Sequence, residues 1–122
     1  MIKLVYETLT GQIIARAKAI HNDLGPGQRR DRYVRELQAA LRAEGLDAWR
    51  GYNVNQGPKG RGKRIGTLDL LVENKVGVVI AKASAKPTAR QRQALRKLCE
   101  VQGLAVGLVL NFTPYGVWPG RA

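Results

Sequence analysis

The chain has 122 residues, 44% of them hydrophobic, and carries 21 Lys and Arg against 9 acids, a formal net charge of +12. That length supports one compact domain over 1–122 with one core, and not two. The charge points to acidic partners, nucleic acid ahead of an anionic membrane surface, and no apolar run approaches the roughly 18 residues of a spanning helix.

Cys99 is the single cysteine, so an internal disulfide is excluded, and Cys99 with His21 is too small a set for zinc. No secretory leader is expected, because Lys3 is followed by a mixed helix rather than an apolar run. A reducing, cytoplasmic setting fits. Cys99 reads as a small buried residue.

Tyr6, Leu9, Ile13, Ala17, Ile20 and Leu24 recur at steps of three and four, the apolar face of a first helix from Val5 to Asp23. Gly25-Pro26-Gly27 ends it. His21 lies in its last turn, where it is expected to cap free carbonyls. A second helix is expected from Arg29 to Glu44, stopped by Gly45, with Tyr33, Leu37, Ala40 and Leu41 facing inward. Arg29, Arg30, Arg32, Arg35 and Arg42 crowd its other faces, either as a solvated surface or as phosphate contacts.

Asp47 to Asn55 reads as a strand. Gln56 to Ile65 then holds four cations within six residues, Lys59, Arg61, Lys63 and Arg64, among three glycines. No helix with Gly-Lys-Ser/Thr follows, so this is not a P-loop. It reads as a mobile basic finger or as a solvated hairpin loop.

A central hairpin follows. Leu68, Leu70 and Val72 alternate with Thr67, Asp69 and Leu71, Glu73-Asn74-Lys75 turns the chain, and Val76 to Ala83 is nearly all apolar. The second strand is therefore expected to be covered on both faces. Asp69 and Lys82 interrupt this apolar pair, and a charge there costs several kcal/mol unless paired or hydrated. They are either a metal-binding acid and a phosphate-facing lysine or a cross-strand ion pair.

Thr88, after Pro87, caps a third helix to Gln102. Leu95, Leu98 and Cys99 face inward, and Arg92 and Arg96 share an outer face. Gly103 ends the helix, Leu104 to Asn111 is an apolar strand, and Tyr115 to Trp118 adds a short edge strand before Pro119. This order predicts an α/β sandwich with a mixed sheet of four to five strands flanked by three helices. The helix between the third and fourth strands implies a right-handed crossover between parallel neighbours.

The order of elements, with Asp69 on one strand and Lys82 on the next, resembles the PD-(D/E)XK nuclease superfamily, and the likeness is closest to the small GxxExxY family. The matching pieces are Ala19-Ile20-His21, Leu24 to Gly27, Tyr33, Asp69 to Val72, Val78 to Ala83, Gly103-Leu104, Val106 to Leu108 and Asn111-Phe112. The resemblance covers roughly residues 4–112. It implies a restriction-endonuclease-like core in which acids hold magnesium and a lysine assists the attacking water.

Hard divalent cations need oxygen ligands, usually two or more carboxylates. The resemblance puts the helix glutamate at Arg30, the strand acid at Asp69, the acid before the lysine at Ile80 and the lysine at Lys82. A glutamine common on the next helix falls on Ala94, with Gln93 beside it. Two of three acids are therefore gone, and Arg30 is expected either to pair with Asp69 or to attract a phosphate. Asp31 points about 100° away around its helix. Glu73 lies about 13 Å along the strand from Asp69. Neither replaces a lost acid.

The reading that follows is a nucleic-acid-binding protein on a degenerate nuclease fold. Arg29, Arg30, Lys59, Arg61, Lys63, Arg64, Lys82, Arg92 and Arg96 would grip DNA or RNA phosphates, and such contacts carry affinity rather than sequence. Asp69 and Lys82 would be a catalytic remnant, with no cofactor. Trp49, Tyr52, Tyr115 and Trp118 would stack bases if exposed, with core packing expected for at least two of them. One alternative is an active Mg2+-dependent nuclease using Asp69 and Lys82 with a relocated acid. Another is a small basic subunit docking on a larger protein or ribonucleoprotein complex.

Overall fold

A computed structural model describes residues 2–122, with the side chains of residues 2–5 and of Lys59 outside the description. The elements are α1 (Ile2–Leu24), α2 (Arg30–Ala43), β1 (Ala48–Asn55), a 3-10 turn (Pro58–Gly60), β2 (Arg64–Val72), β3 (Val76–Lys82), α3 (Ala89–Gln102), β4 (Val106–Thr113) and β5 (Gly116–Arg121). The five strands lie in one mixed sheet in chain order, β1-β2-β3-β4-β5. Only β3 and β4 run parallel, as the intervening helix requires.

The sheet is covered on both faces. On one, Leu9, Ile13, Ala17 and Ile20 of α1 and Tyr33, Val34, Leu37 and Leu41 of α2 meet Leu70, Val72, Val76, Val78, Ile80, Leu108, Leu110 and Phe112. On the other, Leu95 and Cys99 of α3 meet Val54, Leu68, Leu71 and Val109. Val76 to Ile80 therefore lies between layers, with Val79 only half-buried. No helix among the described residues is long and apolar enough to cross a membrane.

Local chemistry sets the joints. The Gly25–Gly27 turn has both glycines at positive φ, +80° and +83°, a region open to glycine. Tyr33 secures that turn: its hydroxyl donates to the Gly25 carbonyl at 2.7 Å and accepts the Gln28 N–H at 3.2 Å. The Tyr33 ring stacks on Phe112 of β4 at 4.2 Å, so the start of α2 is fixed to the sheet. Thr88 and Gln91 form a reciprocal capping box at the start of α3, which satisfies two orphan helix donors.

Four expectations are corrected. Leu68 does not share a face with Leu70 and Val72, since it packs under α3 while they pack under α1 and α2. Strict period-two alternation fails because Gly51 of β1, between the Arg50–Leu70 and Tyr52–Leu68 pairs, has φ +66°, and both strands turn over there.

The basic loop is not an open finger. Gln56 donates to the Lys63 carbonyl, Gly62 to the Gln56 carbonyl and the Asn55 side chain to the Gly60 carbonyl. Its glycines serve this closure: a Cβ on Gly62 would sit 2.3 Å from the Gln56 carbonyl oxygen.

The last strand runs through Pro119 to Arg121, because an edge strand has an outward side where no N–H is needed. His21 caps no carbonyl of its own helix; its Nε2 donates instead to the Thr113 carbonyl of β4 at 2.7 Å.

Candidate nucleic-acid interface

The β2–β3 ladder runs from Val72–Val76 to Leu70–Val78 and no farther. Beyond it β2 follows β1 and β3 follows β4, leaving a fork. Asp69 stands in that fork with its side chain 15% exposed. One carboxylate oxygen, Oδ2, accepts the backbone N–H of Ile80 at 2.7 Å. The side chain thus supplies the acceptor that the departing strand no longer offers. The other oxygen, Oδ1, takes a guanidinium N–H of Arg30 at 2.5 Å.

Arg30 is the first residue of α2. A cation at a helix N-terminus faces the positive end of the macrodipole, an unfavourable place by about 0.3–1 kcal/mol. Asp69 offsets that charge. Of the two expected fates of the interrupting charges, pairing is the one seen, but the cation is Arg30 and not Lys82.

Lys82 is exposed at the end of β3, beside Phe112 of β4, and makes no ion pair among the described residues. Arg29 and Arg32 are exposed at the start of α2. A pocket of about 320 Å³ there is lined by Gln28, Arg29, Asp31, Arg32 and Arg35. Arg29, Arg32 and Arg35 thus stand about the N-terminus of α2, with Asp31 paired to Arg35 among them.

The remaining predicted cations are spread out. Arg64 starts β2, five residues before Asp69, about 16 Å along an extended strand. Arg61 and Lys63 lie beyond it, exposed in the closed loop, and the Lys59 side chain lies outside the description. Arg92 and Arg96 are exposed on α3, across the sheet from Arg30. The fold therefore puts Arg30 on Asp69, with Arg29 next to it and Lys82 at the same end of the sheet, while the start of β2 splays away along β1 and α3 lies on the other face.

The donor set does not fit a magnesium ion. Both Asp69 oxygens already accept N–H groups, one of them cationic. Asp31 is turned to Arg35 at 3.4 Å. Glu73, in the β2–β3 turn at φ +54°, accepts the Asp47 N–H at 2.6 Å. Among the described residues, no group of three or more His, Cys, Asp or Glu is placed to hold a metal. His21 is buried against Phe112 and spends its Nε2 proton on Thr113.

One polar cluster was not singled out from the sequence. Asn111, 1% exposed on β4, donates to the Ala85 carbonyl at 3.1 Å and bonds the Gln91 amide. This network holds the segment between Lys82 and α3. Thr88 three residues before Gln91 is the spacing that signals it. Ala94 and Gln93, the expected glutamine region, are exposed one turn away.

A family model, PDDEXK_3 of the PD-(D/E)XK nuclease superfamily, matches residues 7–118. The chain belongs to that superfamily. Its mixed five-stranded sheet with three helices is the restriction-endonuclease-like core. The crystal structure of SSO0001 has the same fold, with a TM-score of 0.56 at 16% sequence identity. That match covers 97% of this chain and 60% of the other, so this chain spans less than two thirds of its length. No curated protein matches. Between Asp69 and Lys82 in the chain, Ile80 is the residue whose N–H meets the Asp69 carboxylate.

Proposed function

We propose that this protein binds nucleic acid through a PD-(D/E)XK fold whose catalytic centre is degenerate. The observation that carries the reading is the state of Asp69, with both oxygens committed to Arg30 and to the Ile80 N–H. A metal-dependent nuclease needs that carboxylate free and needs partner carboxylates. Here the guanidinium stands where the cation's charge would be required. What remains is a phosphate-binding fork, with Arg29, Arg30 and Lys82 as first contacts and Arg61, Lys63, Arg64, Arg92 and Arg96 extending them. Within the superfamily the motif order favours the small GxxExxY group.

Superfamily membership, the net charge of +12 and the unpaired Lys82 support this reading. Its test is binding to labelled duplex DNA, single-stranded DNA and structured RNA, with and without Mg2+ or Mn2+, across salt. The expected result is intact strands and metal-independent binding, with log K on duplex DNA falling by about 0.9 per phosphate contacted as log salt rises. Lys82→Ala is expected to lower that slope by about one contact. Metal-dependent cutting that disappears in Asp69→Ala would establish the active nuclease instead. Failure to bind any strand, with tight capture by one protein or ribonucleoprotein partner, would establish the docking subunit.

A further inference from the structure

The β4–β5 hairpin carries two aromatic side chains that the core does not use. Tyr115 is 92% exposed and Trp118 50% exposed. Between this hairpin and the last turns of α1 lies a pocket of about 310 Å³, also lined by Lys18, His21 and Asn22. Small-ligand sites run from about 300 to 1,000 Å³, so this one suits a single planar ring system. It has a cation and a side-chain amide in its wall and no acid.

The platform is rigid although its aromatics are exposed. The Thr113 hydroxyl donates to the Gly116 carbonyl at 2.8 Å and accepts the N–H groups of Tyr115 and Gly116 at 3.2 and 3.1 Å. From the other side, His21 holds the Thr113 carbonyl at 2.7 Å, tying the hairpin to α1. A hydrogen-bonded backbone lowers the cost of ordering the hairpin at binding, leaving the ring torsions to be fixed. The hairpin follows directly on the Phe112 that pairs with Lys82, so the pocket opens at the same end of the sheet as the fork.

We infer that the pocket between α1 and the β4–β5 hairpin receives an unpaired nucleobase, stacked on Tyr115 and Trp118, with Lys18 at its phosphate and Asn22 at its edge. This rests on the nucleic-acid-binding reading and deepens it by naming single strands as the preferred form. Base stacking on an aromatic tolerates any sequence because every base has a π face. A duplex keeps its bases stacked on each other and offers the pocket nothing. Trp49, 60% exposed, is the other exposed tryptophan, but it packs edge-on against Tyr52 and lies opposite Leu71, toward the far end of the sheet.

The chain has two tryptophans, so a Trp49→Phe background leaves Trp118 as the sole tryptophan emitter. Single-stranded DNA, single-stranded RNA of the same sequence and a blunt DNA duplex of the same length are titrated into it. The expected result is quenching of Trp118 by single strands and not by the duplex. Read with labelled strands in the parent chain, Tyr115→Ala and Trp118→Ala should each weaken single-strand affinity by about 5- to 150-fold with duplex affinity unchanged, and Trp118→Phe should restore most of it. The stronger of the two single-strand arms names the nucleic acid.

Bound single strands with unchanged Trp118 emission, or losses equal on single strand and duplex, would overturn the pocket while leaving the phosphate-binding reading in place. No binding to any strand would overturn both.

Discussion

Under α1 and α2 the sheet is covered by bulk, and under α3 it is covered by closeness. On the first face Tyr33, Phe112, Leu37 and Leu41 fill a thick layer, and the fork with Asp69 and Arg30 lies at its rim. On the second face glycines make the floor. A Cβ on Gly107 would sit 2.8 Å from Cys99 Sγ, one on Gly66 2.7 Å from Leu98 Cδ2, and one on Gly120 2.8 Å from Pro87 Cβ. Bulk fails when volume is removed, and closeness fails when volume is added. The same fold therefore has opposite sensitivities on its two sides, and its polar site stands on the side that fails by loss.

The largest expected effect is on the bulky face. Leu37→Ala, at a fully buried position, should lose about 2–5 kcal/mol of unfolding free energy in a denaturant titration. An equal loss from Leu98→Ala, on the half-buried side chain of α3, would erase the distinction. Next, Gly107→Ala should cost about 1–3 kcal/mol by overpacking against Cys99 and Leu95. Little change there would mean that α3 can lift from the sheet.

Asp69→Ala leaves the Ile80 N–H without an acceptor and Arg30 without a counter-charge, and should cost about 1–3 kcal/mol. Arg30→Ala removes one half of a pair whose cation is half-exposed and should cost less than about 1 kcal/mol. The difference between these two variants, read in the same titration, isolates the backbone bond. Thr88→Ala, which removes the cap of α3, should cost about 1 kcal/mol.

An effect absent at neutral pH belongs to Cys99 on the tight face. Burial first, and Glu100 second, push its thiol from 9.0 up to about 11. The unfolded chain then loses its thiol proton first, so the folded state is favoured fully below pH 9. That contribution falls as pH rises from 9 toward 11. A Cys99→Ala variant should lose stability less steeply than the parent across that window. Alkylation of Cys99 in the folded protein should also be slow at neutral pH, since the thiolate is the nucleophile.

Periodicity in the sequence was sufficient for the elements, the mixed sheet and most of both cores, because apolar spacing responds to burial directly. The ends of α2 and α3 were legible through Gly45, Thr88 and Gly103, which act locally. Leu68 was misplaced because its face depends on Gly51, seventeen positions earlier, and no local pattern carries that. The partner of Asp69 was open between Lys82 and Arg30, since only the position of α2 over the fork decides it. His21 was read within its own helix, whereas its partner, Thr113, lies on the distant strand β4. The Asn111–Gln91 network is likewise a product of tertiary proximity.

The Asp69 carboxylate closes a strand gap and balances a helix-start arginine, and both are folding duties. Those duties alone account for an aspartate at this position, with or without phosphodiester chemistry. Building a metal centre around Asp69 would mean exchanging Arg30 and Ile80 for acids while Asp69 gave up its bond to the Ile80 N–H. Each single step would pass through a less stable intermediate.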